Sequence, residues 1–339
     1  MNQRWKNRPP GSNWGEFGAD DELGRLNLLT AERRVQAARE VRAGEAFCLS
    51  LPLDLPGGTA LNPNRLPPKR HVATRKRGLF SVNYPLRLED ARYVDCSSDD
   101  SVTLYTQYST QWDALSHVGQ YFDVNGDGIP VPVYYNGFRA GVDVMAPTGD
   151  SEARAHRLGI EKMAETGVQG RGVMLDLHAH YGDARTYVGY DALQRVIDAD
   201  RVDIQAGDML CLHTGFGQKL IDMGGDPDPQ VLHHSCAVLD GRDERLLRWI
   251  DESGISVLIA DNFAVEGYPY EKNDCPQCEG LPLHQACLFR LGIHLGELWY
   301  LTPLAQWLRR NGRSHFMLTC PPLRLPGSFG SPVTPVATV

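Results

Sequence analysis

The sequence predicts an α/β fold, with a mixed, largely buried sheet or barrel-like core and helices around it. Three observations carry that expectation. Short apolar runs with β-branched residues recur at 171–180, 208–216 and 255–263, and each reads as a buried strand. Helical patterns lie between and after them, at 190–200, 243–254 and 284–292. In the second of these, Leu246, Trp249 and Ile250 fall at i, i+3 and i+4. No internal repeat and no interdomain linker interrupts the 339 residues, so a single domain over 1–339 is expected.

Taken in order, the first 30 residues are loop-rich. Thr30 is a good N-cap with Glu32 in the first turn, and the helix it starts is expected to stop at Gly44. Residues 55–90 are rich in Pro, Gly and Arg and read as a long loop, so that 1–90 forms a loop-rich segment packed on the rest. The stretch 102–112 alternates and is rich in Thr and Tyr, which predicts a strand.

Composition narrows the function classes. A formal charge of −8 disfavours nucleic-acid binding, which needs clustered Lys and Arg. The one basic run, Lys69 to Arg77, reads as a solvated loop. No stretch of about 18 apolar residues exists, so no membrane span is expected. The polar N-terminus lacks an apolar signal core, which points to the cytoplasm. Eight scattered cysteines fit buried free thiols in a reducing compartment.

Two segments hold the candidate chemistry. If the strand at 102–112 continues, Gln107, Ser109, Gln111 and Asp113 project from one face, a plausible start for a metal site. Asp113 offers an anionic oxygen, and His117 offers a nitrogen or a general base. The second segment brings His284, at the head of a helical pattern, and Glu297, a common metal-ligand pair. Trp112, Tyr121 and Trp299 lie near these motifs and could line a pocket; core packing is the alternative for each.

Other signals carry less. Asp123 to Gly128 begins like a calcium loop, but its twelfth position is Tyr134, so a tight turn is expected. Cys275 and Cys278 form a single CxxC without a second pair. His178 and His180 share a face, and a structural role is the simpler reading. There is no nucleophile elbow, HExxH, P-loop or complete GxGxxG.

The two candidate segments together resemble the cyclase family, which includes bacterial kynurenine formamidase. Its motif is His-x-Gly-Thr-His-x-Asp-x-Pro-x-His. Thr110, Asp113 and His117 match it, while Gln107, Ser109, Gln111 and Leu115 replace the first His, the Gly, the second His and the Pro. His284 after Leu-Pro and Glu297 match the later elements, with one extra residue between them. The segments at 13–30, 159–177, 206–215 and 260–266 also resemble the longer family members, so the likeness spans nearly the whole chain.

The resemblance implies a swivelling β/β/α-type fold and a metal-dependent hydrolase cleaving an amide, lactone or ester bond of a small substrate. Carried over, Asp113, His284 and Glu297 are metal ligands, with Gln111 as a further donor, and His117 is the acid/base or itself a ligand. Gln107 and His180 fall at pocket positions. Amide oxygens are weaker zinc ligands than imidazole, so one divalent ion, Mn²⁺ or Zn²⁺, is expected rather than two. A homodimer or tetramer acting on a small molecule is implied. Two other functions stay open: a metal-dependent lyase or cyclase, and an inactive binding protein in which Gln107 and Gln111 mark lost ligands.

Overall fold

A computed structural model of the protein describes residues 4–75, 78–149, 151–268 and 278–339. Its centre is a nine-stranded mixed sheet. The strands are β1 (Ala46–Cys48), β2 (Gln111–Asp113), β3 (Gln169–Asp176), β4 (Met209–His213), β5 (Val257–Ala260), β6 (His294–Glu297), β7 (His315–Thr319), β8 (Gly330–Pro332) and β9 (Val336–Thr338). They are ordered β1-β9-β7-β3-β4-β5-β6-β2-β8. The central run β3 to β6 is parallel, and the flanks are antiparallel.

The centre is covered on both faces, which is why its strands read as continuous apolar runs. Successive residues serve opposite cores. Val173, Leu175, Leu210, Leu212, Leu258 and Ala260 join one core with Leu193 and Val196 of α2 (Tyr190–Asp200) and Leu246 and Ile250 of α4 (Glu244–Glu252). Met174, Met209, Cys211, Val257 and Ile259 join the other with Leu304, Ala305 and Leu308 of α5 (Thr302–Arg310). A further helix, α3 (Phe216–Met223), follows β4. The loop-rich N-terminal segment reaches the first core through Trp5 and Trp14, and Trp14 Nε1 donates to the Phe289 carbonyl at 2.7 Å.

Several expected elements form as read, and four differ; one is the long loop expected over 55–90, which holds the short strands Lys69–Val72 and Tyr84–Pro85. Thr30 caps α1 (Ala31–Ala38), but the helix ends well before Gly44. Ala43 and Gly44 instead donate their N–H groups to Val339, which draws the chain to the sheet edge. Residues 285–290 form a π turn rather than an ordinary α-helix. The strand expected over 102–112 is broken: Asp100–Thr103 pairs with Lys69–Val72 in a separate ribbon, and strand resumes only at Gln111. Tertiary bonds win over local propensity here. Thr110 Oγ1 accepts from Leu51 N and donates to the Leu298 carbonyl, while Tyr108 OH donates to the Gly58 carbonyl. Gln107 and Ser109 therefore do not share a strand face with Gln111 and Asp113.

The turn at 123–128 forms as expected. Asp123 accepts from Asp127 N and Gly128 N between two short paired strands. The Lys76–Arg77 end of the basic run and Cys275 of the CxxC lie outside the described residues.

Candidate metal centre

β2 is only three residues long, and its alternation builds the site. Gln111 and Asp113 point to one side and Trp112 to the other. Antiparallel pairing sets Gln111 opposite Glu297 and Trp112 opposite Gly296. On the polar side, Gln111 Nε2 donates to Glu297 Oε2 at 2.9 Å. On the apolar side, Trp112 and Trp299 meet edge to face with centroids 5.2 Å apart. A Cβ on Gly296 would come within 2.9 Å of Trp299 Nε1, so the strand needs glycine there.

His284 comes from the short helical turn Pro282–His284 and completes the cluster. Ligand atoms of Asp113, His284 and Glu297 all lie within 4.8 Å of one another, and all three residues are buried. His284 Nε2 is 3.1 Å from Glu297 Oε1 and 3.8 Å from Asp113 Oδ2. Its other nitrogen, Nδ1, bonds Glu266 Oε1 at 2.7 Å. Glu266 is buried and also accepts the backbone N–H groups of Leu283 and His284, each at 2.9 Å. That fixes the ring and aims Nε2 into the cluster, the orientation a metal-binding histidine requires.

The cluster fits a divalent cation on a direct test. Both Asp113 oxygens and Gln111 Oε1 are buried and have no hydrogen-bond partner. A buried carboxylate left in this way is costly unless a cation or proton satisfies it. In the protein alone a proton does so: burial first, then the charge of Glu297, pushes Asp113 up to about 8. Burial disfavours charge on His284 too, but its bonds to Glu266 and Glu297 outweigh this and carry it up to about 10. Burial likewise raises Glu297, and the bond to His284 reverses that and leaves it lowered.

His117 sits at the margin. Its side chain is 23% exposed, and Nε2 is 3.8 Å from Asp113 Oδ1. Burial, then the charge of His284, pulls it down to about 4, so it is neutral near pH 7.

The remaining expected residues are placed differently. Gln107 lies beside the site in the loop before β2, where its side-chain oxygen accepts from Thr106 Oγ1. Trp112 and Trp299 are fully buried and act as packing behind the strands, with Nε1 of Trp299 donating to the Gln111 carbonyl. Tyr121 is 72% exposed on a hairpin. His180 pairs with Asp200 at 2.9 Å rather than with the cluster. Sequence reading missed the role of Glu266, although the run 260–266 was among the segments of family likeness.

Comparisons with known proteins bear on the family and the fold. Residues 48–267 match the Cyclase family model. A solved structure described as a novel cyclase is 29% identical, with 97% of this chain and 99% of that chain covered and a TM-score of 0.75. Isatin hydrolase A from Ralstonia solanacearum is 14% identical, with 89% and 93% covered and a TM-score of 0.53. The Labrenzia aggregata isatin hydrolase A, bound to benzyl benzoate, is 13% identical, with 89% and 95% covered and a TM-score of 0.53. The two hydrolases share the fold. A search of the curated proteins finds no match. With well over half its length matched by the family model and its fold shared end to end with a solved cyclase, the chain belongs to the cyclase family.

Proposed function

We propose that the protein is a metal-dependent hydrolase that cleaves an amide, lactone or ester bond of a small substrate. The observation that carries this reading is the orphaned Asp113 carboxylate, buried within reach of His284 and Glu297. These three residues, with Gln111 as a further donor, would hold one divalent cation. One nitrogen and several oxygen donors suit Mn²⁺ ahead of Zn²⁺. Such a cation supplies Lewis acidity toward a water and the substrate carbonyl.

The chain's own residues do the rest. His117 is neutral near pH 7 and partly open to solvent, so its imidazole takes a proton from the attacking water and passes it to the leaving group. Glu266 holds the proton on His284 Nδ1 and keeps Nε2 free for the ion. The Trp112–Trp299 pair closes the far side of β2 and β6 against water. Tyr121 and His180 are left out of this machinery.

We read the chain as one cytoplasmic domain that assembles as a homodimer or tetramer. The described cysteines are all free, which suits a reducing compartment. The arm at 69–103 exposes apolar side chains that a second copy would cover.

Elemental analysis of wild type and Asp113→Ala, purified without chelator, tests the centre. About one Mn²⁺ or Zn²⁺ per chain is expected in wild type, and it should be lost in the variant. A panel of lactones, esters and amides in ¹⁸O-labelled water then identifies hydrolysis by label in the acid product. Failure of wild type to bind metal after incubation with Mn²⁺ or Zn²⁺ would overturn the reading.

A further inference from the structure

Arg65 lies in the long loop that precedes the small ribbons, on the Gln107 side of the metal centre. Two contacts place it. Its Nη1 donates to the Gln107 carbonyl at 2.7 Å, four residues before Gln111, and its guanidinium lies over the Phe263 ring, 5.7 Å from the centroid. Phe263 follows Asn262, whose carbonyl accepts from Leu298 N next to Glu297. The side chain is thus tied to the loop that leads into β2 and to the loop that bonds the end of β6. Its positive charge acts on Asp113, His117 and Glu297 alike.

Arg65 is half-buried, and among the described residues no carboxylate is within ion-pair distance of it. Its bond to Gln107 uses one of five donors, and the ring contact uses a face rather than an N–H. A guanidinium kept next to a metal site, anchored at one end and with its fork unspent, suits bidentate capture of a carboxylate. Without metal its charge eases the crowding of the Asp113 and Glu297 carboxylates, but it repels any metal ion that the cluster would hold.

We infer that Arg65 is a specificity-determining residue that binds a carboxylate carried by the substrate, so that the site takes anionic substrates in preference to neutral ones. For turnover this rests on the hydrolase reading; for binding it does not.

Titration calorimetry with benzoate and its neutral counterpart benzamide tests it, on Mn²⁺-treated and metal-free protein. Wild type should bind benzoate at least about tenfold tighter than benzamide. Arg65→Met should abolish that preference, and Arg65→Lys should restore part of it. Arg65→Met should also bind Mn²⁺ more tightly, because a repelling charge is gone. A merely structural role would instead weaken Mn²⁺ and benzoate together, and that result would overturn the inference. So would benzoate binding that is unchanged in Arg65→Met, as when the carboxylate simply ligates the metal, or a wild type with no preference. If no ester, lactone or amide is hydrolysed yet benzoate selectivity follows Arg65, the inference stands and the hydrolase reading falls.

Discussion

At the scale of single residues, the site is a problem of proton and charge balance. Without metal, Asp113 and His284 both hold protons at pH 7, because their pKa values stand at about 8 and about 10. A cation must displace them. Mn²⁺ binding is therefore expected to release about two protons per ion near neutral pH. Calorimetry in buffers of different ionisation enthalpy counts them, and a buffer-independent heat would contradict the charge assignment. The bond from Glu266 to His284 gives a second expectation: Glu266→Gln should weaken Mn²⁺ affinity by about 10–100-fold while the fold survives. His117 differs, because it stands outside the ligand triad. His117→Ala should keep the metal and lower kcat by about 10²–10⁴-fold, as read by metal analysis beside turnover. Asp113, His117, His284 and Glu297 were all legible in the sequence because their types and order match a family motif. Glu266 and Arg65 were not, since a carboxylate behind a histidine and an arginine arriving from a loop leave no spacing to read.

At the scale of elements, burial decided what could be foreseen. β4 and β5 are buried along their whole length, so continuous apolar runs announced them, and α2 forms over the very residues 190–200 that its pattern marked. The stretch 102–112 misled because its Thr and Tyr content favours a strand, while Thr110 and Tyr108 spend their hydroxyls on distant backbone. Where the chain returns to strand, the alternation from Gln111 to Asp113 is as the pattern demands. Trp112 on its reverse face is fully buried against Trp299, so Trp112→Ala should cost about 3–5 kcal/mol in denaturant unfolding. A second element junction governs pH. At the ends of β3 and β4, His213 Nδ1 bonds Asp176 Oδ1 at 2.7 Å. Burial works against the charged His213, but the Asp176 bond and the Asp261 charge win and raise its pKa. Burial also opposes the charged Asp176, yet His213 and Arg309 lower it. The His213 stabilisation is complete below its unfolded value of about 6.5 and fades as pH rises through the folded one. The Asp176 part is complete above about 3.9 and fades as pH falls through its lowered value. The pair should therefore contribute most between about pH 4 and 6.5. The Tm difference between wild type and His213→Gln should shrink as pH is raised above that window, and a difference constant with pH would contradict the pairing.

At the scale of the whole molecule, the least self-sufficient part is the arm between Arg65 and Gln107. Its strands Lys69–Val72 and Asp100–Thr103 are exposed at every position, as a two-stranded ribbon without a core. Such ribbons are marginal alone in water. The arm also displays Phe80 at 67% exposure, Leu88 at 59% and Val94 at 96%, apolar side chains that a partner surface would cover. Up to residue 90 no sequence pattern distinguished it from an ordinary loop, because its apolar residues there are scattered among Pro, Gly and Arg and match neither helical nor strand periodicity. We propose that the arm serves assembly. Arg65 and Gln107, the two roots of the arm, are bonded to each other beside the metal centre, so whatever grips the arm also braces the site. Replacing Phe80, Leu88 and Val94 together by Ser should therefore shift the protein to a lower oligomeric state in light scattering. The same variant should lose Mn²⁺ affinity upon dilution more steeply than wild type. A triple variant that stays at the wild-type mass and titrates Mn²⁺ identically would show that the arm serves neither assembly nor site.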